Sequence, residues 1–82
     1  MEEGKKLFIS NLPEIIDEHL LHNLFLPFGE IKEVIIPQKN HMNKGFGFVE
    51  FIEKEDAYQA LLNMNKSEVY GKYITVTYYH KK

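Results

Sequence analysis

The stretch "KGFGFVEF", Lys44 to Phe51, alternates in a way that leaves few options open for the fold. Successive side chains on a strand point to opposite faces, so these residues fall into two rows. Lys44, Phe46, Phe48 and Glu50 make one row, and Gly45, Gly47, Val49 and Phe51 make the other. A lysine and a glutamate belong toward water, and Phe46 and Phe48 go with them. Val49 and Phe51 are left for a core, while the two glycines leave room for a close helix approach. Such a strand needs a sheet covered on one side only.

The rest of the chain supplies that sheet. "KLFISNL", Lys6 to Leu12, alternates as a strand and is ended by "NLPE" with Pro13. Its rows are Leu7 with Ile9 and Phe8 with Ser10, so Ser10 marks Phe8 as an open-face residue. Asp17 is a suitable N-cap for a helix carrying Leu21, Leu24, Phe25 and Phe28, closed by Pro27 and Gly29. "EIKEVIIP", Glu30 to Pro37, reads as a β-branched strand stopped by proline. "QKNHMN" reads as a short polar loop before the third strand. "EKEDAYQALLNMN", Glu53 to Asn65, places Ala57, Ala60, Leu61 and Met64 on one helical stripe, with acids at the end the helix dipole favours. "SEVYGK" reads as a turn centred on Gly71, and "YITVTYYH", Tyr73 to His80, as the last strand. The order β-α-β-β-α-β is a split βαβ arrangement: one antiparallel sheet with both helices on one face.

Eighty-two residues allow one domain and one core. We read residues 1–82 as a single domain with its core at about 6–79 and short tails, "MEEGKK" and "HKK". At 44% hydrophobic and 27% charged residues the composition is that of a globular chain. With no cysteine there is neither a disulfide nor a thiolate metal site, which points to a reducing compartment. No apolar run is long enough for a membrane span, and the start has no signal-peptide core, so a soluble, non-secreted protein is expected.

Leu7, Ile9, Leu12, Leu21, Leu24, Phe25, Phe28, Ile31, Val34, Ile36, Val49, Phe51, Ala57, Ala60, Leu61, Met64, Ile74 and Val76 suffice as a core. Phe8, Phe46 and Phe48 are surplus to it. The alternative is that a tail buries them or that they serve only strand propensity, but contiguous aromatic patches on a monomer commonly bind something.

"LFISNL", Leu7 to Leu12, and "KGFGFVEF" resemble the RNP2 and RNP1 motifs of the RNA recognition motif (RRM), the second matching its pattern at every position. With "FGEI" between them, the resemblance extends over Lys6 to Tyr79. It implies an α+β, ferredoxin-like βαββαβ fold that binds single-stranded RNA. By motif match Phe8 and Phe48 each receive a base, Phe46 lies against sugars and Lys44 meets a phosphate. Ser10, Asn11 and Glu50 are candidates for hydrogen bonds to base edges, and Ile35 for apolar contact. Parity adds Thr75, Thr77 and Tyr79 from the last strand. Lys5, Lys6, Lys39, Lys72, Lys81 and Lys82 are available to rim the surface. "PFGEIKEVIIP" and "NMNKSEVYGK" are most similar to the RRM of cyclophilin E-type nuclear peptidyl-prolyl isomerases. That resemblance implies nuclear pre-mRNA processing or splicing, spliceosomal or chromatin-associated protein partners, and an isomerase activity lying outside this chain.

The net charge is −2 and all ten basic residues are lysine, so bidentate guanidinium contacts to phosphate are unavailable. The acids Asp17, Glu18, Glu53, Glu55 and Asp56 sit on the helices, which leaves the sheet mildly positive. Micromolar affinity with modest salt dependence is expected. The rival function is an RRM used for protein–protein interaction, through the sheet or through Leu20, Leu26, Tyr58 and Leu62 on the helical side. An enzyme reading is weaker. His19 and His22 are one turn apart on a helix, yet no cysteine or carboxylate completes a set with them, His41 or His80. "GFGF" is followed by no helix N-terminus that would make it a phosphate loop. No cofactor, metal, catalytic residue or membrane is expected, and the domain is read as a monomer with a nuclear address, the cytoplasm being the alternative.

Overall fold

In the computed structural model, which describes residues 4–39 and 42–80, the alternating segments pair as their patterns require. The central strands are β1 (Lys6–Ser10) and β5 (Phe46–Phe51), flanked by β2 (Ile31–Ile35) and β8 (Thr75–Tyr78). The sheet order is β2-β5-β1-β8, and each neighbouring pair is antiparallel. Two helices, α1 (Glu18–Phe25) and α2 (Lys54–Met64), bury Leu21, Phe25, Ala57 and Ala60 against Leu7, Ile9, Val49, Phe51 and Val76. These strand residues all come from the row assigned to the core. Among the described residues no helix covers the opposite row.

Local chemistry sets the boundaries. Asp17 caps α1, its carboxylate accepting from the Leu20 amide at 2.8 Å. A 3₁₀ turn over Leu26–Phe28 follows and ends at Gly29, whose φ of 152° suits glycine. A methyl there would also run into the Asp56 side chain. Lys32 is an extra residue in β2, since Ile31 faces Phe51 and Glu33 faces Glu50. This bulge lets Ile31 and Val34 both pack on the core while Ile35 turns to the open face.

Several sequence expectations are corrected. The first strand stops at Ser10 rather than Leu12, because Asn11 adopts φ 61° and turns the chain. "QKNHMN" is a hairpin, β3 (Gln38–Lys39) pairing with β4 (Met42–Asn43); His41 lies outside the described residues. Its Asn43 is buried, donating to the Pro13 and Ile16 carbonyls at 2.7 and 2.8 Å and accepting from the Gly45 amide at 2.7 Å. "SEVYGK" is a second hairpin, β6 (Glu68–Val69) with β7 (Lys72–Tyr73), turned by Tyr70 and Gly71, both at positive φ. Tyr73 therefore belongs to this hairpin and not to the last strand. Ile16 and Val69 are buried although no periodic pattern marks them. Leu20, placed among the outward residues, packs on the core from a half-buried position.

The two glycines of "KGFGF" have different reasons to be there. A Cβ on Gly47 would meet Ile36 Cγ1 at 3.0 Å, the Ile35 carbonyl at 3.1 Å and Leu21 Cδ2 at 3.3 Å, which is the close approach expected of it. Gly45 has nothing within 4 Å; its φ of 92° is what demands glycine.

Candidate nucleic-acid interface

Register brings the open-face rows of three strands side by side. Phe8 faces Phe48 on one flank and Thr77 on the other; Ser10 lies between Phe46 and Thr75; Lys6 faces Glu50. Ile35 is opposite Phe48 on β2. The Tyr79 amide donates to the Lys6 carbonyl at 2.9 Å, extending the ladder by one residue and setting Tyr79 beside Lys6.

The rings touch in a continuous row. Phe8 lies 5.7 Å from Phe46 and 5.4 Å from Phe48, centroid to centroid, at tilts of 37° and 52°. Phe46 and Phe48 meet edge to face at 6.0 Å, and Phe48 meets Tyr79 edge to face at 5.2 Å. These are favourable geometries for the ring quadrupole. Each phenylalanine is half-buried by its neighbours rather than fully displayed. The row is thus a pre-organised apolar platform, hydrophobic but not in the core.

Charge is concentrated at one end. Lys6 places its ammonium 5.2 Å from the Phe48 centroid and 4.9 Å from that of Tyr79. Glu50, half-buried opposite Lys6, has Lys32 Nζ at 3.9 Å from its carboxylate. Sequence reading assigned Lys6 only to the rim; the register sets it over the rings. Its lone cationic character inside an alternating strand was the available signal.

Two other candidates are less closely joined to the row. Lys44 precedes β5, beyond the positive-φ Gly45 that breaks the alternation, and is exposed, with no ring contact among the described residues. Asn11 is exposed and donates its amide to the Tyr73 carbonyl at 3.0 Å, which leaves its side-chain oxygen as the open group. Lys72 is exposed in β7, whereas Lys81, Lys82 and the Lys39 side chain lie outside the described part. On the helical side Leu26, Tyr58 and Leu62 are exposed. His19 Nε2 lies 3.3 Å from the Asn23 amide. Among the described residues no group of three or more His, Cys, Asp or Glu gathers to hold a metal ion. No described helix is long and apolar enough to cross a membrane.

The family model described as the RNA recognition motif matches residues 7–75. This chain belongs to the RNA recognition motif family. The RRM is a non-catalytic, RNA-binding fold, and the four-stranded sheet with two helices is its architecture. The chain is 41% identical over 79 residues to an uncharacterized RNA-binding protein of Schizosaccharomyces pombe, covering 94% of this chain and 68% of that protein. It is 38% identical over 81 residues to splicing factor 3B subunit 4 of Dictyostelium discoideum, covering 96% of this chain but 23% of the relative. Among solved structures, the Sxl-lethal protein/RNA complex matches with a TM-score of 0.89 and 25% identity, over 95% of this chain and 48% of that one.

Proposed function

We propose that this RRM binds single-stranded RNA on its open sheet face, with one base stacked on Phe8 and another on Phe48. The observation that carries the reading is the unbroken row Phe46–Phe8–Phe48–Tyr79 on the sheet face opposite α1 and α2. A base stacked on an aromatic side chain contributes about 1–3 kcal/mol with little dependence on its identity. Phe46 lies against the sugars between stacked bases, and Lys44 contacts a phosphate. Ser10, Thr75, Thr77, Asn11 and Glu50 surround the row with hydroxyl, amide and carboxylate groups for base edges, and Ile35 extends the apolar floor. A solved relative bound to RNA supports the choice of ligand.

The module serves nuclear pre-mRNA processing in this reading, a role supported by the likeness to a splicing-factor subunit. The narrower assignment to an RRM-bearing cyclophilin rests on "PFGEIKEVIIP" and "NMNKSEVYGK" alone, and neither of the two relatives named above is described as an isomerase. A second reading, protein binding by the helical side, is supported by the exposure of Leu26, Tyr58 and Leu62.

An NMR titration with pooled short single-stranded RNAs tests the proposal. Amide shifts should concentrate on β1, β5 and β8, and Phe8→Ala or Phe48→Ala should abolish them while leaving the domain folded. Undiminished RNA binding in both variants would overturn it. A protein partner that shifts α1 and α2, with RNA shifting nothing on the sheet, would favour the second reading.

A further inference from the structure

We infer that Lys6, more than Lys44, holds the phosphate of the nucleotide stacked on Phe48, so that Lys6, Phe48 and Tyr79 form one nucleotide subsite. This rests on the stacking reading above. Phe48 and Tyr79 stand at 86° to each other with centroids 5.2 Å apart, making a corner. The Lys6 ammonium occupies it, 5.2 Å and 4.9 Å from the two centroids. A base stacked on Phe48 brings its flanking phosphates to the neighbourhood of that ammonium, within the swing of a four-carbon stem.

Three further observations favour Lys6 for the part. Its backbone is fixed in the central strand by pairing on both flanks, to Glu50 and to Tyr79. Its side chain is already half-buried on the rings, so less conformational freedom is lost when it meets a phosphate. Glu50, the acid that could neutralise it, already has Lys32 at 3.9 Å. Lys44 differs: it lies outside the strand, tied by its amide to the Pro37 carbonyl at 3.3 Å, and is exposed, with no ring contact among the described residues. As a base arrives on Phe48, the ammonium exchanges its contact with the ring for one with the phosphate. The ring is vacated and the charge is met in one step.

The test is a salt series of binding to a short fluorescent single-stranded RNA of mixed sequence, for wild type, Lys6→Met, Lys6→Arg, Lys44→Met and Phe48→Ala. Lys6→Met should weaken binding about fivefold or more and lower the slope of log K against log salt by about 0.7, the loss of one single-strand phosphate contact. Lys6→Arg keeps the charge and should retain the slope, whereas a merely structural role for Lys6 would leave the slope unchanged in Lys6→Met as well. Lys44→Met should change both quantities less. Unchanged affinity and slope in Lys6→Met, or a larger effect from Lys44→Met, would overturn the inference. If Phe48→Ala then still loses RNA, only the assignment of Lys6 has failed; if Phe48→Ala binds like wild type, the stacking reading itself has failed.

Discussion

The two faces of the sheet carry the same kind of residue and use it differently. Beneath the helices, Phe51 and Phe25 are fully buried and touch residues from several elements. On the other face Phe8, Phe46 and Phe48 are half-buried and touch mainly one another, Tyr79 and a lysine. Phe48 and Phe51 are three positions apart on one strand, so neither composition nor strand propensity separates them. What separates them is parity and the presence of a covering layer. The comparison teaches that the aromatic content of a strand is informative about binding only after it has been divided between faces.

The widest test of that division is to truncate one ring from each face. Phe51→Ala should lower stability by about 3–5 kcal/mol, the range for a large-to-small change in a packed core, which for so small a domain approaches its whole stability. Phe48→Ala should cost less, about 1–2 kcal/mol, since its ring contacts are made at a half-buried site, and urea denaturation of the two variants measures the contrast. Equal losses would mean that the open row is core after all.

Next in size is Asn43, which ties the β3–β4 hairpin to the chain entering α1. Asn43→Ala should cost about 2–3 kcal/mol in the same measurement, because it strands buried carbonyls and an amide. Asn43→Asp should be no better, since a carboxylate cannot donate to the Pro13 and Ile16 carbonyls. A polar residue on the open face, such as Thr77, should tolerate alanine with little change.

Gly47→Ala sharpens the comparison within β5 itself. Its methyl would press on Ile36, Leu21 and the Ile35 carbonyl, and overpacking of this kind costs about 1–3 kcal/mol. A heat-denaturation midpoint lowered by several degrees is expected, along with shifted amides in β2 and α1. The smallest effect should come from Lys32→Met. Its ion pair with Glu50 is long and its side chain is 63% exposed, so a stability change of about 0.5 kcal/mol or less is expected. A larger loss would show that Glu50 depends on Lys32 for its place on the face.

Much of the fold and of the site was legible because both rest on short-range periodicity. The alternation in Lys44–Phe51 and Leu7–Ser10 assigns each side chain to a face, and the register of β1 with β5 then joins the outward rows. Asp17 was readable as a cap because capping needs only a local oxygen. The failures share a different cause. Ile16, Val69 and Asn43 are buried by elements distant in the chain, and single residues in turn-rich segments have no period to betray them. Gly45 was given the reason that belongs to Gly47, because a glycine needed for conformation and one needed for space look alike in a sequence. Gly45 interrupts the parity by which Lys44 was read, and the contact of Lys6 with Tyr79, remote in sequence and adjacent in space, has no local signal.

Local pattern alone settled the order of the four sheet strands and two helices, the faces of the central strands and the presence of aromatic rings beyond those a core requires. It could do so because strand alternation and helical spacing are local consequences of backbone geometry. Long-range packing was needed to join the rings into one continuous row, to set an ammonium in the corner made by Phe48 and Tyr79, and to anchor the hairpin through Asn43. Those facts depend on strand order and register, which are fixed by packing between segments far apart in the chain.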